Sequence, residues 1–257
     1  MDPVHAALAA VLGLCVGSFL NVCIYRLPRG QSLASPPSRC PRCERPLQWY
    51  HNIPLVSWIA LRGRCAHCHA PISMQYPIIE LVTALVWVLI VSMTPIGWLL
   101  ASRLVLATAL IVLFMIDLEH QLLPNVITLP GILVGLAFSF VAPPGPVDSF
   151  LGILLGGGVL YGIAAAYYLL RKEEGMGMGD VKMLAMVGAF LGWKAVLLTL
   201  VLSSFAGAVI GMAMMGLQRG SLRYALPFGT FLAVGTVIAM LFGDAILAWY
   251  LGYFPTY

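Results

Sequence analysis

Charge is what this chain most lacks. Asp, Glu, Lys and Arg make up 9% of its 257 residues, and apolar side chains make up 61%. A soluble domain runs at about 25% charged and about 45–50% apolar. The gap excludes an ordinary soluble enzyme and a disordered chain. A small secreted disulfide scaffold is excluded too, and apolar runs longer than alternating strands allow exclude an outer-membrane barrel. The chain also has no G-x-S-x-G and no H-E-x-x-H, so neither motif signals a serine hydrolase or a zinc protease. No Gly-rich cofactor loop after a strand is present, and no internal repeat is apparent. Low complexity is confined to Pro143-Pro144-Gly145-Pro146. Met1-Asp2-Pro3 carries no basic residue, so Val4 to Cys23 reads as a first membrane span, not as a cleaved signal peptide.

What is there is hydrophobic and helical in pattern: an all-α polytopic membrane protein. After the first span comes a polar stretch from Arg26 to about Gln75. The apolar runs that follow are Ile78–Met93, Ile96–Ile116, Val126–Val141, Phe150–Leu170, Val181–Leu191, Val196–Met215 and Leu226–Leu251. This predicts about eight transmembrane helices and a small cytoplasmic loop domain. The expected divisions are a first helix over 1–25, a loop domain over 26–76 and a membrane domain over 77–257.

The basic residues orient the spans. Seven of the 14 Lys and Arg lie in the first loop: Arg26, Arg29, Arg39, Arg42, Arg45, Arg62 and Arg64. With the N-terminus outside, these face the cytoplasm together with Arg171, Lys172, Lys182, Arg219 and Arg223, as the positive-inside rule requires. Only Lys194 falls in an outer loop, and Arg103, within the third span, is expected to snorkel outward. The 11-residue run Val181–Leu191 is short for a crossing; treating it as re-entrant gives seven spans and misplaces more charge.

Two constellations carry chemistry. The first is Cys40-Pro41-Arg42-Cys43 with Cys65-Ala66-His67-Cys68, two C-x2-C pairs 21 residues apart. That is close to zinc-ribbon spacing, and four thiolates make a closed, structural tetrahedral site. A loop this small holds little core, so a metal staple suits it. Disulfides or free thiols are the alternatives, and a reducing cytoplasm weakens the first. Cys15 and Cys23 read as small apolar fillers of the first span.

The second is a pair of acids at the membrane edge. Asp117 follows the apolar run Ile96–Ile116, and Asp180 closes Gly175-Met176-Gly177-Met178-Gly179-Asp180. The alternating glycines are expected to keep the backbone open there, Gly177 and Gly179 included, so that an extended substrate can pair with it. Two carboxylates in a low-dielectric cleft can share a proton, one activating water and the other protonating a leaving amine. Solvated helix ends are the plainer reading.

The residues resemble a family. Phe114-Met115-Ile116-Asp117 through Leu123-Pro124-Asn125, Gly177-Met178-Gly179-Asp180-Val181-Lys182, Gly17-Ser18-Phe19-Leu20-Asn21-Val22, Tyr25-Arg26-Leu27-Pro28, Trp58 to Cys68 and Tyr76-Pro77-Ile78-Ile79-Glu80 together look like a bacterial type IV prepilin peptidase of the GxGD aspartic protease class. The resemblance implies an inner-membrane enzyme that removes the short basic leader of type IV prepilins or type II secretion pseudopilins at the cytoplasmic face. It implies Asp117 and Asp180 as catalytic. It implies the four cysteines as those of members that also methylate the new N-terminus with S-adenosylmethionine. Asn125 stands where many relatives have Asp. Glu80, Asn21 and Arg26 are candidates for the methyltransferase or substrate site, or else orient helix ends. Glu173 and Glu174 are candidates to receive the basic leader. The lipid bilayer is a partner, no nucleic acid is expected, and the resemblance sets no oligomeric state. A presenilin-like protease, a transporter and a non-enzymatic assembly protein are the alternatives.

Overall fold

The computed structural model describes residues 2–172, 177–217 and 227–253. Its helices are α1 (Pro3–Arg26), α2 (Val56–Ala60), α3 (Gln75–Met93), α4 (Trp98–His120), α5 (Asn125–Phe138), α6 (Pro146–Arg171), α7 (Met178–Leu217) and α8 (Phe228–Leu251). No strand occurs among the described residues; the only sheet-like pairings there are two isolated bridges in the polar loop. The chain divides into two compact units, Met1–Ile96 and Gly97–Tyr257.

Six helices are long and apolar enough to cross a membrane: α1, α3, α4, α6, α7 and α8. The expected count of eight is not reached on this criterion, for two physical reasons. Val126–Val141 folds as α5, which at 14 residues is short of a bilayer's thickness. Val181–Leu191 and Val196–Met215 are two helical limbs, both within α7 and counted there as a single apolar helix, which meet at a non-helical break at Gly192. There φ is 78° and ψ 176°, a left-handed conformation that glycine adopts without strain. Lys194 lies two residues after this break between the two limbs. Arg219 and Arg223 lie outside the described residues, as do Glu173 and Glu174.

In the first unit α1 packs along α3. A Cβ on Gly13 would stand 2.7 Å from Ala84 Cα, and one on Gly17 would stand 2.7 Å from Glu80 Cα. In lipid, where no hydrophobic drive separates helix from tail, such close backbone approach supplies the packing. In the second unit the limb of α7 before Gly192 is the core: Met183, Leu184, Met186 and Val187 are fully buried, Met186 against Gly131 of α5 and Leu184 against Gly156 of α6. Ser149 on α6 donates its hydroxyl to Ala189 O, and Ser203 on α7 donates to Phe231 O on α8 at 2.9 Å. Arg103 on α4 interacts electrostatically with Asp244 on α8, so each of these intramembrane charges has the other as a neighbour.

Candidate functional sites

Asp117 lies in the last turn of α4 and is buried. Its Oδ2 accepts the backbone N–H of Thr230 at 2.8 Å. Thr230 is the third residue of α8, so the carboxylate sits on the amino end of that helix, where free N–H groups and the helix dipole favour an anion. The approach depends on Gly229: a Cβ there would stand 2.8 Å from Asp117 Oδ2. Asp180 is also buried, in the first turn of α7. The structure brings the two acids together closely enough for their charges to interact.

Leu123 packs against Gly179, next to Asp180 in the chain, and against Gly229, which touches Asp117. It is buried, and Cβ atoms on Gly179 and Gly229 would stand 2.8 Å from its Cβ and 3.0 Å from its Cδ1. It can occupy that place because α4 ends at Gln121, whose left-handed backbone turns the chain so that Leu123-Pro124 leads into α5. Lys182 Nζ donates to Asn125 Oδ1 at 2.9 Å, tying the start of α5 to the first turn of α7. The backbone is less open than the glycines suggested. Helix α7 begins at Met178, and Asp180 N donates to Gly177 O at 3.1 Å, so Gly179 and Asp180 are already helical. Gly175 and Met176 lie outside the described residues.

Sequence reasoning missed Leu123, Gly229 and Thr230 as parts of this site. Pro227 followed by an apolar run signals a helix start. Nothing in the sequence pairs that start with an acid 113 positions earlier.

In the first unit the four cysteine sulfurs lie within 4.8 Å of one another, and Cys40 Sγ is 3.8 Å from Cys68 Sγ. A tetrahedral ion with sulfurs at about 2.3 Å holds them about 3.8 Å apart, so the cluster has the geometry to bind a metal ion. All four are free of disulfides. The backbone N–H groups of Cys68 and His67 hold the Cys65 thiol down, to about 6. The Ala70 N–H also favours a Cys68 thiolate, but burial and the neighbouring sulfurs outweigh it and push that thiol up to about 11.

The two C-x2-C turns are copies of one another, a repeat the sequence reading did not register. Cys40 N donates to Arg45 O and Cys65 N to Ala70 O; Glu44 N donates to Cys40 O and His69 N to Cys65 O. Arg39 bridges Pro46, and Arg64 bridges Pro71. Glu44 and His69 both have positive φ, 56° and 55°. The signal was R-C-x2-C-x2-P followed by Leu47 or Ile72, hidden because the other positions differ.

Asn21, Arg26 and Glu80 hold this unit's frame. Asn21 Nδ2 donates to Tyr76 O at 3.1 Å, joining α1 to α3. Arg26 donates to Ser32 O at 2.8 Å and to Pro36 O at 2.7 Å, closing the chain after α1. Buried Glu80 accepts the Leu55 N–H at 2.8 Å. Leu55 has φ 57°, a strained conformation for a leucine, and it caps α2.

Residues 11–94 match the Bacterial Peptidase A24 N-terminal domain, and residues 104–212 match the Type IV leader peptidase family. A prepilin leader peptidase/N-methyltransferase of Aeromonas salmonicida (strain A449) is 39% identical over 274 residues, covering 96% of this chain and 94% of the relative. The chain belongs to the type IV leader peptidase family. Similar proteins of the same name include one from Pseudomonas aeruginosa, 38% identical over 94% of this chain and 91% of its own length. One from Myxococcus xanthus is 45% identical over 83% of this chain and 64% of its own length. No solved structure is found to match. The leader peptidase match takes in Asp117, Leu123 and Asp180 but ends before Gly229 and Thr230, and the N-terminal match takes in the four cysteines, Asn21, Arg26 and Glu80.

Proposed function

We propose that this protein cleaves the short basic leader from type IV prepilins or type II secretion pseudopilins and then N-methylates the exposed N-terminus. The burial of Asp117 and Asp180 around Leu123, at the ends of α4 and α7, carries the first half of this reading. One carboxylate, ionised, takes a proton from water as its oxygen attacks the scissile carbonyl carbon. The other, protonated, gives its proton to the amide nitrogen as the C–N bond breaks. The Thr230 N–H on Asp117 holds that carboxylate in one orientation while the proton moves. Gly179 makes room for Leu123, and Gly177 lies beside Asp180, with its would-be Cβ 3.7 Å from Oδ2.

The membrane edge is where a leader gives way to an apolar helix. The distribution of arginines supports a bacterial inner-membrane protein with its N-terminus outside and its acids and cysteine turns in the cytoplasm. We assign the methyl transfer to the first unit. S-adenosylmethionine, when bound there, would supply an electrophilic methyl group for the exposed amine. Cys40, Cys43, Cys65 and Cys68 would hold a structural zinc ion, with Asn21, Arg26 and Glu80 framing the domain around it.

The test is cleavage of a prepilin-like substrate in liposomes, read by mass, for wild type, Asp117→Asn and Asp180→Asn. Loss of cleavage in both variants, with metal content and helicity unchanged, is the expected result. Survival of cleavage in either variant removes the two-acid mechanism. A further 14 Da on the product (roughly one added methylene, the change any methylation makes), seen only with S-adenosylmethionine, reports the second activity.

A further inference from the structure

The polar loop of the first unit carries an apolar segment within it. Ile53-Pro54-Leu55-Val56-Ser57-Trp58-Ile59-Ala60-Leu61 holds no charge. Helix α2 lies in this segment, and Val56, Ile59 and Ala60 stand at i, i+3 and i+4, on one stripe of that helix. All three are exposed, Val56 at 61% and Ile59 at 67%. Trp58 instead packs on Gly63, with its Cζ2 2.8 Å from where a Cβ would stand. Trp49, 79% exposed, and Tyr50 lie on the short turn Trp49–Asn52, which contacts α2.

A hydrogen bond fixes the depth of this segment. The Leu55 N–H donates to Glu80 Oε2 at 2.8 Å. Glu80 lies inside α3, roughly 7.5 Å along its axis from Gln75. It also faces α1, where a Cβ on Gly17 would stand 2.7 Å from Glu80 Cα. Gly17 is roughly 13 Å of helix before the end of α1 at Arg26. Leu55 is therefore tied to the flank of two membrane helices, not held out in water beyond their ends. Those ends carry the residues of a membrane–water interface: Tyr25 and Tyr76 are exposed, and Arg29 stacks on the Tyr25 ring at 4.2 Å.

We propose that residues 53–61 lie in the membrane interface, with Val56 and Ile59 among the acyl chains, and that the loop's arginines bind anionic phospholipid headgroups around them. Apolar side chains at that depth meet acyl chains, which receive them better than water does. A short helix with an apolar stripe and basic residues beside it suits this place. From residue 26 to residue 74 the chain has seven arginines, no lysine and one acid, Glu44. An anionic lipid surface complements that charge, and each arginine near it adds to the attraction. A basic leader would be repelled, so the charged end of a prepilin is not what covers this surface. Glu80 acts here as a positioning residue, holding Leu55 at the membrane edge.

The test uses the full-length protein with its metal retained, in nanodiscs of phosphatidylcholine mixed with phosphatidylglycerol. A photoreactive benzophenone side chain is placed at Val56 or at Ile59, and the irradiated protein is read by mass. A phospholipid adduct is the expected result. Both positions are exposed, so metal content should stay at the wild-type level, and if one variant loses its metal the other carries the test. Arg62, exposed just after α2, tests the headgroup half. With Arg62→Gln the preference for phosphatidylglycerol over phosphatidylcholine adducts should fall up to about fivefold, the scale of one basic residue at an anionic surface. Benzophenone that gives no phospholipid adduct, or that joins only to protein, a second copy of this chain included, overturns the membrane contact. Adducts that form equally with both lipids and are unmoved by Arg62→Gln overturn the headgroup assignment.

Discussion

The cysteine turns and the acid pair show two ways of building a site. The four cysteines span 29 positions, Cys40 to Cys68, and each turn is closed by hydrogen bonds to neighbours within a few residues. The acid site draws on Asp117, Leu123, Asp180, Gly229 and Thr230, on three helices and a connector, and most of its contacts span long stretches of chain. The first is local geometry that an ion can complete; without one, four sulfurs this close have little to hold them together. The second is held by packing, since α4, α7 and α8 place the carboxylates and no ion is needed. A site of the first kind should fail when its ligands go, and one of the second kind when its backbone approach is blocked.

The largest expected effect is at the acids. Asp117→Asn or Asp180→Asn should lower the cleavage rate by at least about 10³-fold, the scale of general acid–base catalysis, with metal content by mass spectrometry unchanged. Substituting Cys40 or Cys65 by Ser should do the reverse in kind. Metal content falls to near zero, and limited trypsin digestion opens the stretch from Arg39 to Arg64, while α4, α7 and α8 keep their protection in hydrogen exchange. Because the two turns are copies, the two Ser variants should behave alike; a variant that keeps its metal would break the symmetry between them.

Gly229→Ala probes the packed site directly. The new methyl group would stand 2.8 Å from Asp117 Oδ2, and the carboxylate must move. A fall in kcat of roughly 10- to 100-fold with little change in KM is expected, from a misplacement of a few tenths of an ångström to 1 Å. Wild-type kcat in that variant would separate the α8 amide from the chemistry. Lys182→Met should matter least. It removes one exposed hydrogen bond to Asn125, worth about 0.5–1.5 kcal/mol, and should lower thermal stability slightly with cleavage within a few-fold of wild type.

Much of this was legible beforehand, for reasons that differ by residue. Every apolar run became helix, because hydropathy is written one residue at a time. The C-x2-C spacing reported a sulfur cluster, because four residues are enough to make the turn. Helix length was harder to read: Val126–Val141 gave only the 14-residue α5, whereas the two runs Val181–Leu191 and Val196–Met215 are two helical limbs that meet at Gly192. The alternating glycines before Asp180 were expected to keep the backbone open, yet the helix begins among them, where Leu123 packs on Gly179 and tertiary contact outweighs the weak helix propensity of glycine.

By itself, then, the sequence determined a helical membrane protein, a four-cysteine cluster and two acids at the ends of apolar runs. These depend on composition and short spacing, which survive any arrangement of the helices. Only the tertiary structure decided that Asp117 caps α8, that Leu123 packs against both Gly179 and Gly229, and that Glu80 holds Leu55. Each of these depends on how residues apart in the sequence pack together, and packing, not residue identity, determines which atoms meet.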